Sequence, residues 1–187
     1  MASSAMSVDE VMGILRTTVP RLRELTDGVA EDRLTAITDY AWSVNDQLAH
    51  LRACHDVLGG NMLRIIREGH PAWKGMSPGA RLKRTDYLTW TFEPAFAAFR
   101  AQRTELLEAL EVLSPEGWER TATVSVPPGK VYEYSTLYYG GWMARHERGH
   151  LRHIARILAA LARHNAPPVR VGVRGGRSGP VRGTSGS

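Results

Sequence analysis

Four stretches of this chain carry apolar residues at helical spacing, each on one side only, and this pattern restricts the fold more than any other feature. The first runs from about Val8 to Thr26, with Val11, Met12, Leu15, Val19, Leu22 and Leu25 on its stripe. Pro20 predicts a kink in it. The second opens at Ser43, where Ser-x-x-Asp to Asp46 reads as a capping box with Asp in place of Glu. It continues through Leu48, Leu51, Leu58, Met62, Ile65 and Ile66 to Gly69, with Gly59 and Gly60 weakening its middle. The third covers about Asp86 to Leu113, with Pro94 near its first turns, and the fourth starts near Ser135 and ends before Asn165 and Pro167. A helix with one apolar stripe must bury it against another element. Four such stripes bury best against each other, which predicts an all-α four-helix bundle. The connections of roughly fifteen to twenty residues are long for tight up-and-down loops, so at least one is expected to cross over the end of the bundle. Between the third and fourth helices, "TATVSVPPGKVYEY" alternates around a Pro-Pro-Gly turn and predicts a small hairpin or extended loop.

Composition adds bounds. At 187 residues the chain fits one domain with a sizeable core. No apolar run approaches the ~20 residues that span a bilayer, so no membrane association is expected. The start, "MASSAMSVDE", lacks the basic and apolar regions of a secretory signal. The single cysteine, Cys54, cannot form an internal disulfide, which fits a reducing cytoplasm. The net charge of +5 is unevenly placed: Arg170, Arg174, Arg177 and Arg182 lie in a final segment without acids, and residues 1–164 hold only +1. We therefore expect a bundle domain over 1–164 and a basic Gly/Arg/Ser-rich disordered tail over 165–187. A near-neutral body argues against a folded nucleic-acid surface.

The stretch "HERGHLRH", residues 146–153, carries the chemistry. At 100° per residue from His146, His150 falls at about +40°, His153 at about −20°, Trp142 at about −40° and Tyr139 at about +20°. These side chains point into the bundle, whereas Arg145, Arg148, Arg152, Arg156 and Arg163 form a solvated face. Adjacent buried imidazoles each need a hydrogen bond or a metal. The order H-E-x-x-H matches many zinc proteases, which take a third ligand further along the chain. Glu147 is the last acidic residue, so no later carboxylate exists, and the longer form fails because position 153 is His and position 156 is Arg. A third ligand must come from another helix. The candidate is His50 in "WSVNDQLAHL", flanked by Asp46 and Cys54 at four residues on either side. His55 lies about 140° further round and cannot join the same ion; His70 is expected on an exposed loop.

These residues resemble a known family. Trp42, Ser43, His50 and Leu51, with Asp46 where Glu is usual, followed about a hundred residues later by His146 and His150, are similar to the two-block pattern of the DinB-like (YfiT-like) metal-binding bundles. "LSPEGW" before the last helix is also typical, and the likeness covers residues 8–162; His153 stands where the family often has Gln. The resemblance, which extends to the N-terminal domain of mycothiol-dependent maleylpyruvate isomerase, implies a bundle with a crossover connection. It also implies a divalent metal, zinc or nickel, on His50, His146 and His150, a small-molecule substrate and a homodimer. Some relatives are transferases or isomerases that use low-molecular-weight thiols such as mycothiol, bacillithiol or glutathione. Three imidazoles leave a coordination position open, where a thiol or water would become a nucleophile at neutral pH. On this reading Glu147 or Asp46 handles protons or orients ligands, and Trp142 and Tyr139 line the cofactor pocket. Two alternatives stay open: metal-dependent hydrolysis, with water on the ion, and a non-catalytic, stress-related or dimeric interaction bundle.

Overall fold

The computed structural model describes residues 6–38 and 40–164; the predicted basic tail lies outside them. Helix α1 (Val8–Thr26) begins at Ser7, whose hydroxyl accepts from the Glu10 amide at 3.2 Å while the Glu10 carboxylate accepts from the Ser7 amide at 2.8 Å. Two amides that the first turn leaves without partners are thereby satisfied. The helix continues through Pro20 to its predicted end. After a single turn, α2 (Glu31–Leu34), the chain enters α3 (Val44–Cys54) at the predicted Ser43–Asp46 capping box.

Gly59 and Gly60 do not break the second bundle helix. A π-helical turn, His55–Gly59, carries α3 directly into α4 (Gly60–Glu68). The His55 ring lies over that turn, and a Cβ at position 59 would stand 2.9 Å from His55 Cε1. Glycine there leaves room for the imidazole. Gly69, at φ 85°, then ends the helix in a conformation that L side chains rarely adopt.

The third bundle helix starts later than its apolar pattern predicts. Helix α5 (Pro78–Leu82) and a short 3-10 turn (Tyr87–Thr89) precede α6 (Phe92–Glu111). Pro94 sets this limit: in the first turn its missing N–H costs nothing, but a helix begun at Asp86 would place its ring against the carbonyl four residues earlier. Helix α7 (Pro115–Glu119) leads into the predicted hairpin of β2 (Thr121–Val126) and β3 (Lys130–Ser135), and α8 (Thr136–His164) completes the chain. The hairpin gains a parallel neighbour, β1 (Ala72–Lys74), with Trp73 opposite Val124. Sequence reading does not anticipate β1, because three residues show no alternation.

Helix α1 packs on α6 and α8, and α3 packs on the same two. The first two long helices therefore occupy opposite corners of the bundle, and the connection from α1 through α2 to α3 makes the crossover that the long connections predict. The core has two apolar halves. Val11, Leu15, Met62, Leu106, Leu110 and Met143 fill one; Leu22, Leu48, Leu51, Phe92, Phe99 and Ile157 fill the other. Between them along each helix lie Thr18, His55, Arg103 and Glu147, none more than 4% exposed. Arg103 donates to the Leu15 carbonyl at 3.0 Å and with both ends of its fork to the Glu147 carboxylate. The Thr18 hydroxyl donates to the same carboxylate at 2.8 Å. One buried ion pair thus ties α1, α6 and α8 together at mid-height. No helix among the described residues is long and apolar enough to cross a membrane.

Candidate metal centre

The packing of α3 against α8 brings His50 to the two α8 histidines at the level of the polar layer. His146 Nε2 lies 3.0 Å from His50 Nε2 and 3.0 Å from His150 Nε2. All three residues are half-buried, and their ligand atoms lie within 4.8 Å of one another. The Cys54 sulfur is 3.3 Å from His50 Nε2, and burial pushes its thiol up to about 12, so it stays protonated.

Hydrogen bonding on the outer side fixes which atoms face inward. His150 Nδ1 lies 2.5 Å from Gln47 Oε1. An amide oxygen only accepts, so Nδ1 carries the proton and Nε2 presents a bare lone pair to the cluster. The amide of the same Gln47 reaches His153 Nδ1 at 3.4 Å, which places His153 beside the cluster rather than in it. Burial lowers the pKa of His50 and His146, and burial with the neighbouring imidazoles lowers that of His150 to about 3. At neutral pH the three rings are therefore neutral donors.

This donor set fits a divalent cation. A ring nitrogen has one proton or one lone pair along one axis, so the two 3.0 Å contacts of His146 Nε2 cannot both be hydrogen bonds. One ion between the rings uses all three lone pairs. Zinc–imidazole distances of about 2.0–2.1 Å require nitrogens roughly 3 to 3.4 Å apart, which matches both contacts of His146, and the three ligand atoms together lie within 4.8 Å of one another.

The two predicted carboxylates are engaged elsewhere. Asp46 Oδ2 accepts from the Ser43 amide at 2.9 Å and from its hydroxyl at 2.8 Å, at the helix cap. Glu147 is fully buried and saturated by Arg103 and Thr18. The structure thus places Glu147 in the buried pair with Arg103 rather than among the imidazoles. Trp142 is 39% exposed one turn before His146, while Tyr139 is buried; both line a cavity between α4, α8 and the sheet. The exposed Trp42 packs edge-on against His50 at 5.3 Å between ring centroids, and Tyr40 does so against His153 at 5.2 Å. As expected, His55 stays outside the cluster and is buried beside Phe99, and the His70 side chain is 61% exposed beside Glu133. The five arginines on the outer face of α8 are exposed.

Two residues escaped the sequence reading. Gln47 sits three positions before His50, on the same helix face, and its polarity within a buried stripe is the signal that marks it. Arg103 likewise interrupts the run from Phe99 to Leu106, where a charge must find a partner. Removing the Gln47 acceptor should be felt at the metal. We expect Gln47→Leu to lower zinc affinity by roughly 10–100-fold, and Gln47→Glu, which keeps an acceptor, to retain most of it. Competition with a chromophoric chelator measures both; an unchanged affinity in Gln47→Leu would show that the His150 contact is incidental.

The chain's likenesses agree with this geometry. The sequence model of the DinB superfamily matches residues 14–154. YfiT from Bacillus subtilis, described as a probable metal-dependent hydrolase with an unusual four-helix bundle topology, shares the fold at a TM-score of 0.69 and 16% identity. The match covers 87% of this chain and 93% of YfiT. No curated protein matches this chain.

Proposed function

The chain belongs to the DinB superfamily, and from that premise we propose that it is a divalent-metal-dependent enzyme acting on a small molecule with the help of a low-molecular-weight thiol such as mycothiol, as a transferase or isomerase. The observation that carries this reading is the convergence of three neutral imidazole nitrogens from two helices far apart in sequence. His50, His146 and His150 would hold zinc or nickel. A three-imidazole ion leaves a position open and lowers the pKa of a thiol or water there, supplying a nucleophile at neutral pH.

The chain's own residues prepare that position. Burial keeps the imidazoles unprotonated, and Gln47 sets the His150 tautomer. Asp46 caps α3 and fixes where His50 stands along it. Glu147, through Arg103 and Thr18, holds the rotation of α8 that aims His146 and His150 inward; both carboxylates thus orient ligands rather than carry protons. Trp142 and Tyr139 form one wall of the pocket. The same reading makes the protein a cytoplasmic homodimer, in keeping with its lone buried cysteine.

Hydrolysis is the second reading, favoured by the description of YfiT. Full-length protein purified without a histidine tag, loaded with zinc or nickel, separates the two. An electrophile panel is incubated with and without mycothiol or glutathione. Product that forms only with thiol, at a rate rising with thiol concentration, is expected; turnover in its absence would favour hydrolysis. Failure to bind either metal would overturn both and leave a non-catalytic bundle.

A further inference from the structure

Both helices that carry the imidazoles continue the same stripe toward the sheet. On α8, steps of three and four residues lead back from His150 through His146 and Trp142 to Tyr139. On the second bundle helix, Cys54 is followed by Val57 and Asn61. On α8, side chains so spaced share a helix face, while on the second helix the π-helical turn His55–Gly59 intervenes and Val57 and Asn61 are placed by the cavity they line. One turn of α8 before His146, Trp142 lines a cavity of about 260 Å³ whose walls also include Val57, Trp73, Val124, Tyr138 and Tyr139.

We infer that this groove is the substrate pocket of the metal centre, and that it selects a substrate bearing an uncharged flat ring system of one or two rings. The inference rests on the metal-dependent reading above and names the substrate class for it. Charge gives the first argument: no Arg, Lys, Asp or Glu is among the described residues that line the cavity. A carboxylate or phosphate would lose its hydration there without a counter-charge. A charged thiol such as glutathione is disfavoured for the same reason, so the groove suits the other reactant.

The walls supply the second argument. Tyr134 and Tyr138 stack at 4.3 Å and 9°, and Tyr138 meets Trp142 edge-on at 6.3 Å. Tyr138 and Trp142 nevertheless remain 43% and 39% exposed, leaving ring surface open on the cavity wall. Open aromatic surface at the mouth of a concave site marks a place where a ligand supplies the missing contact. Asn61 and Tyr139, both on this wall, supply polar atoms among the rings.

Size is the third. A volume of about 260 Å³ falls just below the range of drug-sized sites, about 300–1,000 Å³. Along the α8 axis Trp142 lies about 6 Å from His146 and Tyr138 about 12 Å, at 1.5 Å per residue. A ring joined to the reacting group directly, or through a short link, fills that length.

Hydroxamates test this, since their head groups bind an open zinc position and their tails can be varied. Acetohydroxamate and 2-naphthohydroxamate are titrated calorimetrically into zinc-loaded full-length protein, wild type, Trp142→Ala and Trp142→Phe. We expect the naphthyl compound to bind at least tenfold more tightly than acetohydroxamate to wild type. Trp142→Ala should abolish that preference without changing acetohydroxamate affinity, and Trp142→Phe should keep most of it. Equal affinities in wild type, or a preference untouched by Trp142→Ala, overturn the pocket and leave the metal centre standing. If neither hydroxamate binds better than to zinc-free protein, the metal-dependent reading falls, and the substrate class with it. If Trp142→Ala instead dissociates a wild-type dimer while the ring preference persists, the aromatic surface is a subunit interface and the assignment is wrong.

Discussion

We expect His50→Ala to lose added zinc as completely as His146→Ala, although the two residues stand 96 positions apart in the chain. Each substitution leaves two imidazoles where three converged, and the loss should exceed the roughly 10–100-fold expected when only a supporting hydrogen bond is removed. Metal analysis of untagged protein reads this as one equivalent in wild type falling to background in either variant. Thermal unfolding gives a second readout. A ligand present at a hundred times its dissociation constant stabilises the folded state by about 2.7 kcal/mol, so added zinc should raise the wild-type melting temperature and leave both variants unmoved. His70→Ala, on the exposed side chain beside Glu133, should keep both metal and shift. Full occupancy in His50→Ala would refute a site shared between α3 and α8.

The second large effect lies in the polar layer. Arg103→Met strands the Glu147 carboxylate, whose side chain is 1% exposed, with one hydroxyl partner left from α1. Breaking a buried pair from one side costs about 3–5 kcal/mol, because a charge remains in low dielectric without its counter-ion. With a urea dependence of about 1–3 kcal/mol/M, the unfolding midpoint should fall by roughly 2 M. Replacing both partners, Arg103→Met with Glu147→Leu, removes the stranded charge and should recover most of the loss. Equal stability of the single and double variants would show that the carboxylate is not left uncompensated.

What sequence reading captured was local chemistry repeated often enough to be seen. The ends of α1 follow from its apolar spacing, the start of α3 from Ser43 and Asp46 three residues apart, and the hairpin from alternation around Pro127, Pro128 and Gly129. The inward face of α8 followed from the same arithmetic; His50 was a candidate partner from its own helix, and the set of His50, His146 and His150 was what the family resemblance implied. Features that depend on distant parts of the chain were hidden. Three residues of β1 form a strand only because β2 lies beside them. The start of α6 depends on one proline overruling an apolar pattern. The π-helical turn reflects a contact between the His55 ring and Gly59 that no spacing rule records. Arg103 and Gln47 gain their meaning from partners 44 and 103 residues away.

The ion pair at mid-height also bears on how the protein acquires its metal. If α8 slid by one turn against α6, both charges would be left in hydrocarbon, so the elevation of the imidazoles is settled by the fold before any cation arrives. Small zinc domains are otherwise: they are unfolded until metal enters, and binding energy is spent on folding them. Here the buried pair sets the register of α8 without help from a cation, so metal binding would not have to supply the energy that folds the bundle. Nitrogen donors held at a fixed spacing would then favour a divalent cation by its fit and its supply, without a change of fold.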